Sequence, residues 1–472
     1  MTGLVAAAIL GPMGLGLILL VARRMPAGLR NFLATFGTVA VGGLVAALWV
    51  ATGNTPQSLW YFSFLKIQTS PMFLVDSVGL LFCALFSFIW LLVTVYSLRY
   101  MQDYEHQHDY YSFLLIMLGS VIGLCLSQNL ILMYAFWEIA GVATWRLVAF
   151  YRGESEIKFA QKTILLTFAG SVLMLVGFAM VFIEQYTLAV TYMPGGTWSI
   201  LSALLILAGM LTKSASMPFY VWLPDAHTAA PSPMSALLSG IVAKIGLIAY
   251  FRIFIQAQMV LPSWWPYLVA GLGLAGSLVA AGCALREKDY KRILALSTVS
   301  QLGYIFVGFA FAPGLGLSAA IIYLVAHSLA KAGLFLSLGE VERATRKRSI
   351  EDLSGLARTM PVTAASVALL ALSIIGLPPL LGFFGKLYVV VAALQANMVV
   401  AVGAIVAAVM TVLYMLRMYH IFTGEPKSGI SGREYPVMSA VVAVMAFVSV
   451  ALGLLFPLLS RFLEMGINAS ML

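Results

Sequence analysis

Five ionisable side chains stand in the middle of stretches otherwise apolar enough to cross a bilayer. They are Glu138 in LILMYAFWEIAGVATW, Lys213 in LLILAGMLTKSASMPF, Lys244 in LLSGIVAKIGLIAYF, Lys331 in YLVAHSLAKAGLF and Lys386 in LLGFFGKLYVVV. A charge at mid-bilayer costs roughly 2.5–3.5 kcal/mol even on lenient insertion scales, so five cost on the order of 10 kcal/mol. Anchoring does not require such a load. Paired, or lining a wet path, these residue types suit the passage of a proton or cation. Glu138 has no basic residue within one helical turn, so its partner must come from another helix, and Lys213 is the natural one. A pair that opens and closes is a proton switch; a static ion pair is the plainer alternative. Lys244 lies too far from either end of its stretch to snorkel and is expected as a central relay. His327 and Lys331 share a helical face at i and i+4, and imidazole is the group best matched to passing protons near neutral pH. Lys386 follows a proline break and is expected as the terminal relay. Asp76, at the start of the third span, is either an interfacial cap or a gating group. Asp225 and His227, after the first break, either cap the next helix or gate access from the cytoplasm. Arg252 and Lys162, near span ends, are expected to snorkel.

The elements that position these groups follow from composition. The chain has 472 residues, 62% hydrophobic and only 10% charged, against roughly 25% charged in a soluble domain. It reads as an all-α polytopic membrane protein. Apolar stretches of bilayer length recur about fourteen times: 3–22, 30–51, 75–97, 111–128, 129–150, 163–184, 200–222, 233–255, 264–285, 293–312, 316–339, 362–394, 396–420 and 436–464. The first has its arginines after the apolar run, so it reads as a retained span rather than a signal peptide. Most lysines and arginines fall on alternate loops, from Arg23 and Arg24 through Arg152 and Lys158 to Arg346, Lys347 and Arg348. Lys66, Arg252 and Arg461 remain for the other side. The positive-inside rule then puts the basic loops in the cytoplasm, and both termini on the outer side of a prokaryotic cytoplasmic membrane. It also accounts for the net charge of +9 without nucleic acid. Trp198, Trp222, Trp264 and Trp265 fall near span ends, where an aromatic belt is expected.

Prolines interrupt the seventh stretch at Pro218 and the twelfth at Pro378 and Pro379. Broken backbone at membrane depth is tolerated only where it faces protein or a cavity. If spans four to eight and nine to thirteen are five-helix repeats, both breaks fall on the fourth helix of each. An odd repeat must be inverted, and matched breaks in inverted repeats point to a transport site. The expected organisation is a three-helix segment (1–110), a first repeat (111–255), a second, inverted repeat (264–420) and a terminal helix (421–472). Cys83, Cys125 and Cys283 show no ligand spacing and are expected as buried, inert thiols. No nucleotide-binding glycine motif is present, so no cofactor is expected in this chain.

Several blocks carry a resemblance: YAFWEIAGVATW, GMLTKSASMPFYVWLPDAHTAAPSPMSALLSGIVAKIGLIAYFRI, YKRILALSTVSQLGYIFVG and YLVAHSLAKAGLFLSLGEV. They resemble the antiporter-like subunits of respiratory complex I (NADH:quinone oxidoreductase). That family is shared with membrane-bound hydrogenases of the formate hydrogenlyase type and with multisubunit Na+/H+ antiporters. The resemblance covers roughly residues 70 to 420. It implies fourteen helices in inverted repeats and a proton pathway through Glu138, Lys213, Lys244, His327, Lys331 and Lys386. It also implies partner membrane subunits and a peripheral redox arm, with iron–sulfur, nickel–iron or flavin groups held only by partners. A lysine at the twelfth-helix position, and a sequence closing soon after the last span, look more like a hydrogenase-type subunit than a standard complex I member. A subunit of a cation/proton antiporter without a redox partner is the alternative.

Overall fold

The computed structural model of the chain describes residues 1–53, 55–62, 70–190, 198–427 and 432–471; Lys66 lies outside them. The chain forms helices because every backbone donor and acceptor in a bilayer must be satisfied within the span. Three helices open it: α1 (Thr2–Val21), α2 (Ala27–Thr52) and α3 (Ser77–Tyr100). A hairpin of β1 (Gln57–Phe62) and β2 (Ser70–Val75) stands between the second and third, antiparallel, with Gln57 opposite Val75 and Phe62 opposite Ser70.

The next helices are α4 (Gln107–Leu126), α5 (Leu130–Val148), α6 (Glu154–Gln185) and α7 (Ile200–Lys213). Helix α7 ends at the first break, and the chain resumes in the short α8 (Leu223–Ala229). The following span has the expected bounds but is not one regular helix. It runs as α9 (Ser232–Gly240), a 3₁₀ turn over Val242–Lys244, α10 (Ile245–Tyr250) and a π turn over Phe251–Gln256. Irregular turns inside a helix frequently accompany functional side chains, and these two carry Lys244 and Arg252.

Then come α11 (Trp265–Arg286), α12 (Tyr290–Ala310), α13 (Leu315–Thr345), α14 (Pro361–Ile375) and α15 (Leu381–Ala396). The second break separates the last two. Helices α16 (Met398–Tyr419), α17 (Pro436–Leu454) and α18 (Phe456–Met471) complete the chain. The stretch 436–464, expected as one helix, is thus two, divided just before Phe456 and Pro457. Among the described residues, twelve helical spans are long and apolar enough to cross a membrane; with the two broken spans they make fourteen. Because four spans lie between the two broken ones, α7 and α14 run in opposite directions through the bundle.

The apolar segments of α12 and α13 are buried along their whole length, whereas those of α1, α2 and α6 face outward for more than half of theirs. Helix α13 is the hub, packed by α9, α12, α14, α15 and α17. Two expectations fail for the same reason, that burial inside a bundle is set by neighbours rather than by distance from a span end. Trp198, Trp222 and Trp265 are buried, leaving only Trp264 exposed among the four, and the Trp222 indole N–H donates to the Thr212 carbonyl at 2.9 Å. Conversely Cys283, expected buried, is exposed on α11.

Candidate functional site

A string of polar side chains links α9 to α15 through the buried helices α12 and α13. Lys244 ends its 3₁₀ turn fully buried, and its ammonium donates to the Ser239 carbonyl. The Ser239 hydroxyl meets that of Thr298, on α12, at 2.7 Å. The neighbouring Ser297 hydroxyl accepts from Lys331 Nζ at 2.7 Å, and the Leu294 carbonyl does so at 2.9 Å. One turn along α13, His327 is fully buried and, among the described residues, neither ring nitrogen has a hydrogen-bond partner. Its ring lies 6.2 Å from that of Tyr323. The Tyr323 hydroxyl donates to Gln301 Oε1, and Gln301 Nε2 donates to the Tyr414 hydroxyl at 2.8 Å and to Thr411 at 3.0 Å.

Lys386 closes the string. Its ammonium stands 4.9 Å from the Tyr304 ring centre and 5.7 Å from that of Tyr323. The Ile375 carbonyl, at the end of α14, lies 3.5 Å away. Aromatic faces and the negative end of a helix both attract a cation without a full counter-charge. The break after Ile375 exposes that carbonyl end, so the prolines that break the helix also build the lysine's seat.

At the other break the arrangement recurs. Lys213 is the last residue of α7, and its ammonium lies 3.4 Å from the Trp137 carbonyl and 5.5 Å from the Trp137 ring centre. A Cβ on Gly141 would fall 3.2 Å from that nitrogen. Lys213 therefore rests on the turn of α5 that carries Glu138. The expected pair is drawn together but not closed, since no contact within 4 Å joins the two among the described residues. Glu138 is half-buried, and its Oε1 is buried with no partner among the described residues.

The remaining candidates have other surroundings. Asp76 caps α3 by accepting from the Gly79 N–H at 2.9 Å. It is also gripped by Arg252 through two contacts, 2.7 Å to Oδ2 and 2.8 Å to Oδ1, while Gln256 Nε2 donates to it at 2.9 Å. The expectation that Arg252 snorkels is wrong, because its guanidinium is 2% exposed. A carboxylate beside it is a better partner than distant water. Asp225 lies on α8, where Lys162 (2.7 Å) and Arg292 (2.9 Å) bind its two oxygens. Lys162 thus pairs rather than merely snorkelling. His227, on the same short helix, is fully buried, stacked on Phe335 at 4.3 Å, with both ring nitrogens unpartnered.

Ser239, Ser297, Thr298, Gln301, Tyr304 and Tyr323 were not singled out from the sequence. The signal was present: Ser297, Thr298, Gln301 and Tyr304 recur at i, i+1, i+4 and i+7, a polar stripe on an apolar helix. Uncharged residues do not interrupt an apolar stretch enough to attract notice.

Residues 127–411 match the family described as NADH:quinone oxidoreductase/Mrp antiporter, TM. Among curated proteins, the Na(+)/H(+) antiporter subunit A1 of Staphylococcus aureus is 33% identical over 424 residues, covering 81% of this chain and 52% of the relative. The chain spans about half the length of the curated relatives it matches. Among solved structures, a chain of the Mrp complex from Dietzia sp. DQ12-45-1b has a TM-score of 0.86 at 25% identity, covering 100% of this chain and 97% of that one. A chain of the archaeal membrane-bound sulfane sulfur reductase reaches 0.90 at 21% identity, covering 99% and 97%. A chain of respiratory complex I from Thermus thermophilus reaches 0.86 at 23%, covering 99% of each. The last two likenesses concern the fold.

Proposed function

Starting from a chain that belongs to the NADH:quinone oxidoreductase/Mrp antiporter family of membrane subunits, we propose that it carries protons across a prokaryotic cytoplasmic membrane within a multisubunit complex. The observation that carries this reading is the polar string inside buried helices. Lys244 meets the Ser239 carbonyl, the Ser239 hydroxyl meets Thr298, and Lys331 bonds the adjacent Ser297; the string continues past His327 and Tyr323 to Lys386. Protons reach Lys244 from the basic-loop side, with Asp225 and His227 near that access and Asp76 bracing the outer end of α3. They then pass along α12 and α13 to Lys386. The unclosed Glu138–Lys213 arrangement is the switch, which a neighbouring subunit closes or opens. The two five-helix units, 111–255 and 264–420, each contribute one break to this path, and both termini face outward.

In the first reading the complex is redox-driven, a membrane-bound hydrogenase or complex I relative, whose peripheral arm holds iron–sulfur, nickel–iron or flavin groups. The second reading is a cation/proton antiporter without redox subunits, and the 33% identity to a Na(+)/H(+) antiporter subunit favours it. Gentle purification from native membranes separates the two. Iron–sulfur, nickel–iron or flavin subunits in the preparation support the first. Sodium-driven proton movement in vesicles without an electron donor supports the second. Either reading fails if Lys244→Ala, correctly assembled, moves protons at the full rate.

A further inference from the structure

Glu340 lies on α13, nine residues beyond Lys331, about 14 Å along the helix at ~1.5 Å per residue. It is fully buried. Asp76 is held by Arg252 and Asp109 by Arg146 and Arg152, but among the described residues Glu340 has no basic group within 4 Å. Its Oε1 accepts from the Tyr435 N–H at 2.6 Å and from the Ser439 hydroxyl at 2.7 Å. Its Oε2 lies 3.0 Å from Thr363 Oγ1. That same hydroxyl oxygen is 3.2 Å from Glu434 Oε1, which also accepts the Thr363 N–H at 2.8 Å.

A hydroxyl has one proton to donate. It satisfies one carboxylate, and the second short contact then needs a carboxyl that brings its own proton. Two carboxyls bridged in this way hold one proton between them, as like charges sharing a site must. The groups facing the site do not cancel this. Tyr96 of α3 donates to the Leu336 carbonyl at 2.8 Å, and Tyr290 of α12 to the Leu338 carbonyl at 3.1 Å. Arg99 of α3 and Arg343 of α13 stand over the Tyr435 ring, at 5.1 and 5.4 Å from its centre. Both are one aromatic ring away, and Arg343 is already paired with Asp103, so neither pairs with the two carboxyls. From α9, Ser232 packs on Gly339 and is occupied by Glu342 at 2.8 Å.

A second, independent observation lies deeper. Helices α14 and α17, which begin at the Thr363 and Ser439 hydroxyls bonded to the carboxyls, run toward the second break. There Ser373 and Ser449 are buried, and their hydroxyls have no partner among the described residues. Gly382 packs on the Ser373 carbonyl, Gly453 on that of Pro379, and Gly376 on the Lys386 side chain. Both unpartnered hydroxyls therefore flank the break beside Lys386.

We propose that Glu340 is a proton-carrying carboxyl, loaded from the basic-loop side through Glu434 and Thr363, which supplies Lys386 by a route separate from Lys244. Glu434, half-exposed before α17, collects the proton. It passes to Thr363 Oγ1 while the threonine's own proton moves to Glu340 Oε2. The anionic Glu434 is then reprotonated from water, so the step balances with no co-reactant.

This route rests on the proposed function, and the test separates the two. Infrared spectra of the purified complex in H2O and D2O should contain a deuterium-sensitive band of a protonated carboxyl. Both Glu340→Gln and Glu434→Gln should abolish it, because the proton is shared, while the loop variant Glu287→Gln should keep it. In vesicles, Glu340→Gln and Thr363→Val should lower the proton transport rate at least tenfold, with Thr363→Ser restoring it. If Glu340→Gln fails to assemble, the half-exposed Glu434→Gln reads the same proton. A wild-type spectrum without the band, a band surviving in both Gln variants, or full transport in Thr363→Val would overturn the route. A wild-type complex that keeps the band but moves no protons would overturn the proposed function and, with it, this supply to Lys386.

Discussion

Among the described residues no carboxylate pairs with Lys386; two tyrosine faces and the carbonyl end of α14 hold it. Such a seat is worth roughly 0.5–2 kcal/mol per ring when desolvated, enough to steady a charge and weak enough to release one. Substituting Tyr304 by Leu should slow proton transport while Tyr304→Phe, which keeps the ring face, should not; equal loss in both would make the Tyr304 hydroxyl the important group instead. The Asp76–Arg252 pair works the other way. It is bidentate and buried, and its remaining contacts are filled by Gln256, the Gly79 N–H and the Cys125 carbonyl. Removing one member strands a buried charge, at a cost of about 3–5 kcal/mol. Asp76→Ala should therefore lower the thermal unfolding midpoint of the purified complex strongly, and Asp76→Ala/Arg252→Met should recover part of the loss. A double variant no better than the single would argue against stranded charge as the cause.

At the scale of elements, the interruptions organise the site. A continuous α14–α15 would consume the Ile375 carbonyl in the helix ladder, and a continuous α9–α10 would turn Lys244 to another face. Close packing fixes these pieces. A Cβ on Gly385 would meet the Tyr323 backbone nitrogen, Cα and Cβ at 2.7–2.9 Å, so α15 approaches α13 only because residue 385 has no side chain. Gly385→Ala should cost about 1–3 kcal/mol by overpacking and shift the neighbouring Lys386 away from Tyr323. The expected result is impaired transport with the lysine still present, and unchanged transport would show that the seat tolerates displacement. The proline signals for both breaks were legible in the sequence. The irregular turns in the eighth span were not, because its two glycines, Gly240 and Gly246, weaken a helix without fixing where or how it departs from regularity, and the packing of the turn and α10 on α7 is tertiary.

For the whole molecule, charge asymmetry between loops makes a topological prediction. In a Cys283→Ser background, which removes the exposed native thiol, an impermeant maleimide should label Thr55→Cys in intact cells. It should reach Glu351→Cys only after permeabilisation. Labelling in the reverse order would invert the assigned direction of transport. The outward-facing surfaces of α1, α2, α6 and α16 are apolar, suited to lipid or to neighbouring subunits. Glu138 is the exception, half-buried on a helix whose Ile131, Val142 and Trp145 are exposed. Glu138→Gln should uncouple transport from its driving reaction more than it weakens assembly, measured as transport per complex against the yield of intact complex.

The sequence alone determined the membrane class, the fourteen spans, both breaks and five of the six mid-membrane ionisable residues by position. Each of these follows from the cost of burying charge or unsatisfied backbone in hydrocarbon, which is a local property of a stretch of residues. His327 was reached only through its i, i+4 relation to Lys331. Tertiary structure alone decided which partners those groups meet. It turned Arg252 inward to Asp76, left Glu138 and Lys213 adjacent but unclosed, placed the Ser297 and Thr298 hydroxyls of α12 against Lys331 and Ser239, and set Glu340 against Glu434 across a single threonine. Partners 34 to 176 residues apart in the chain are chosen by how helices pack, and no local pattern encodes that choice.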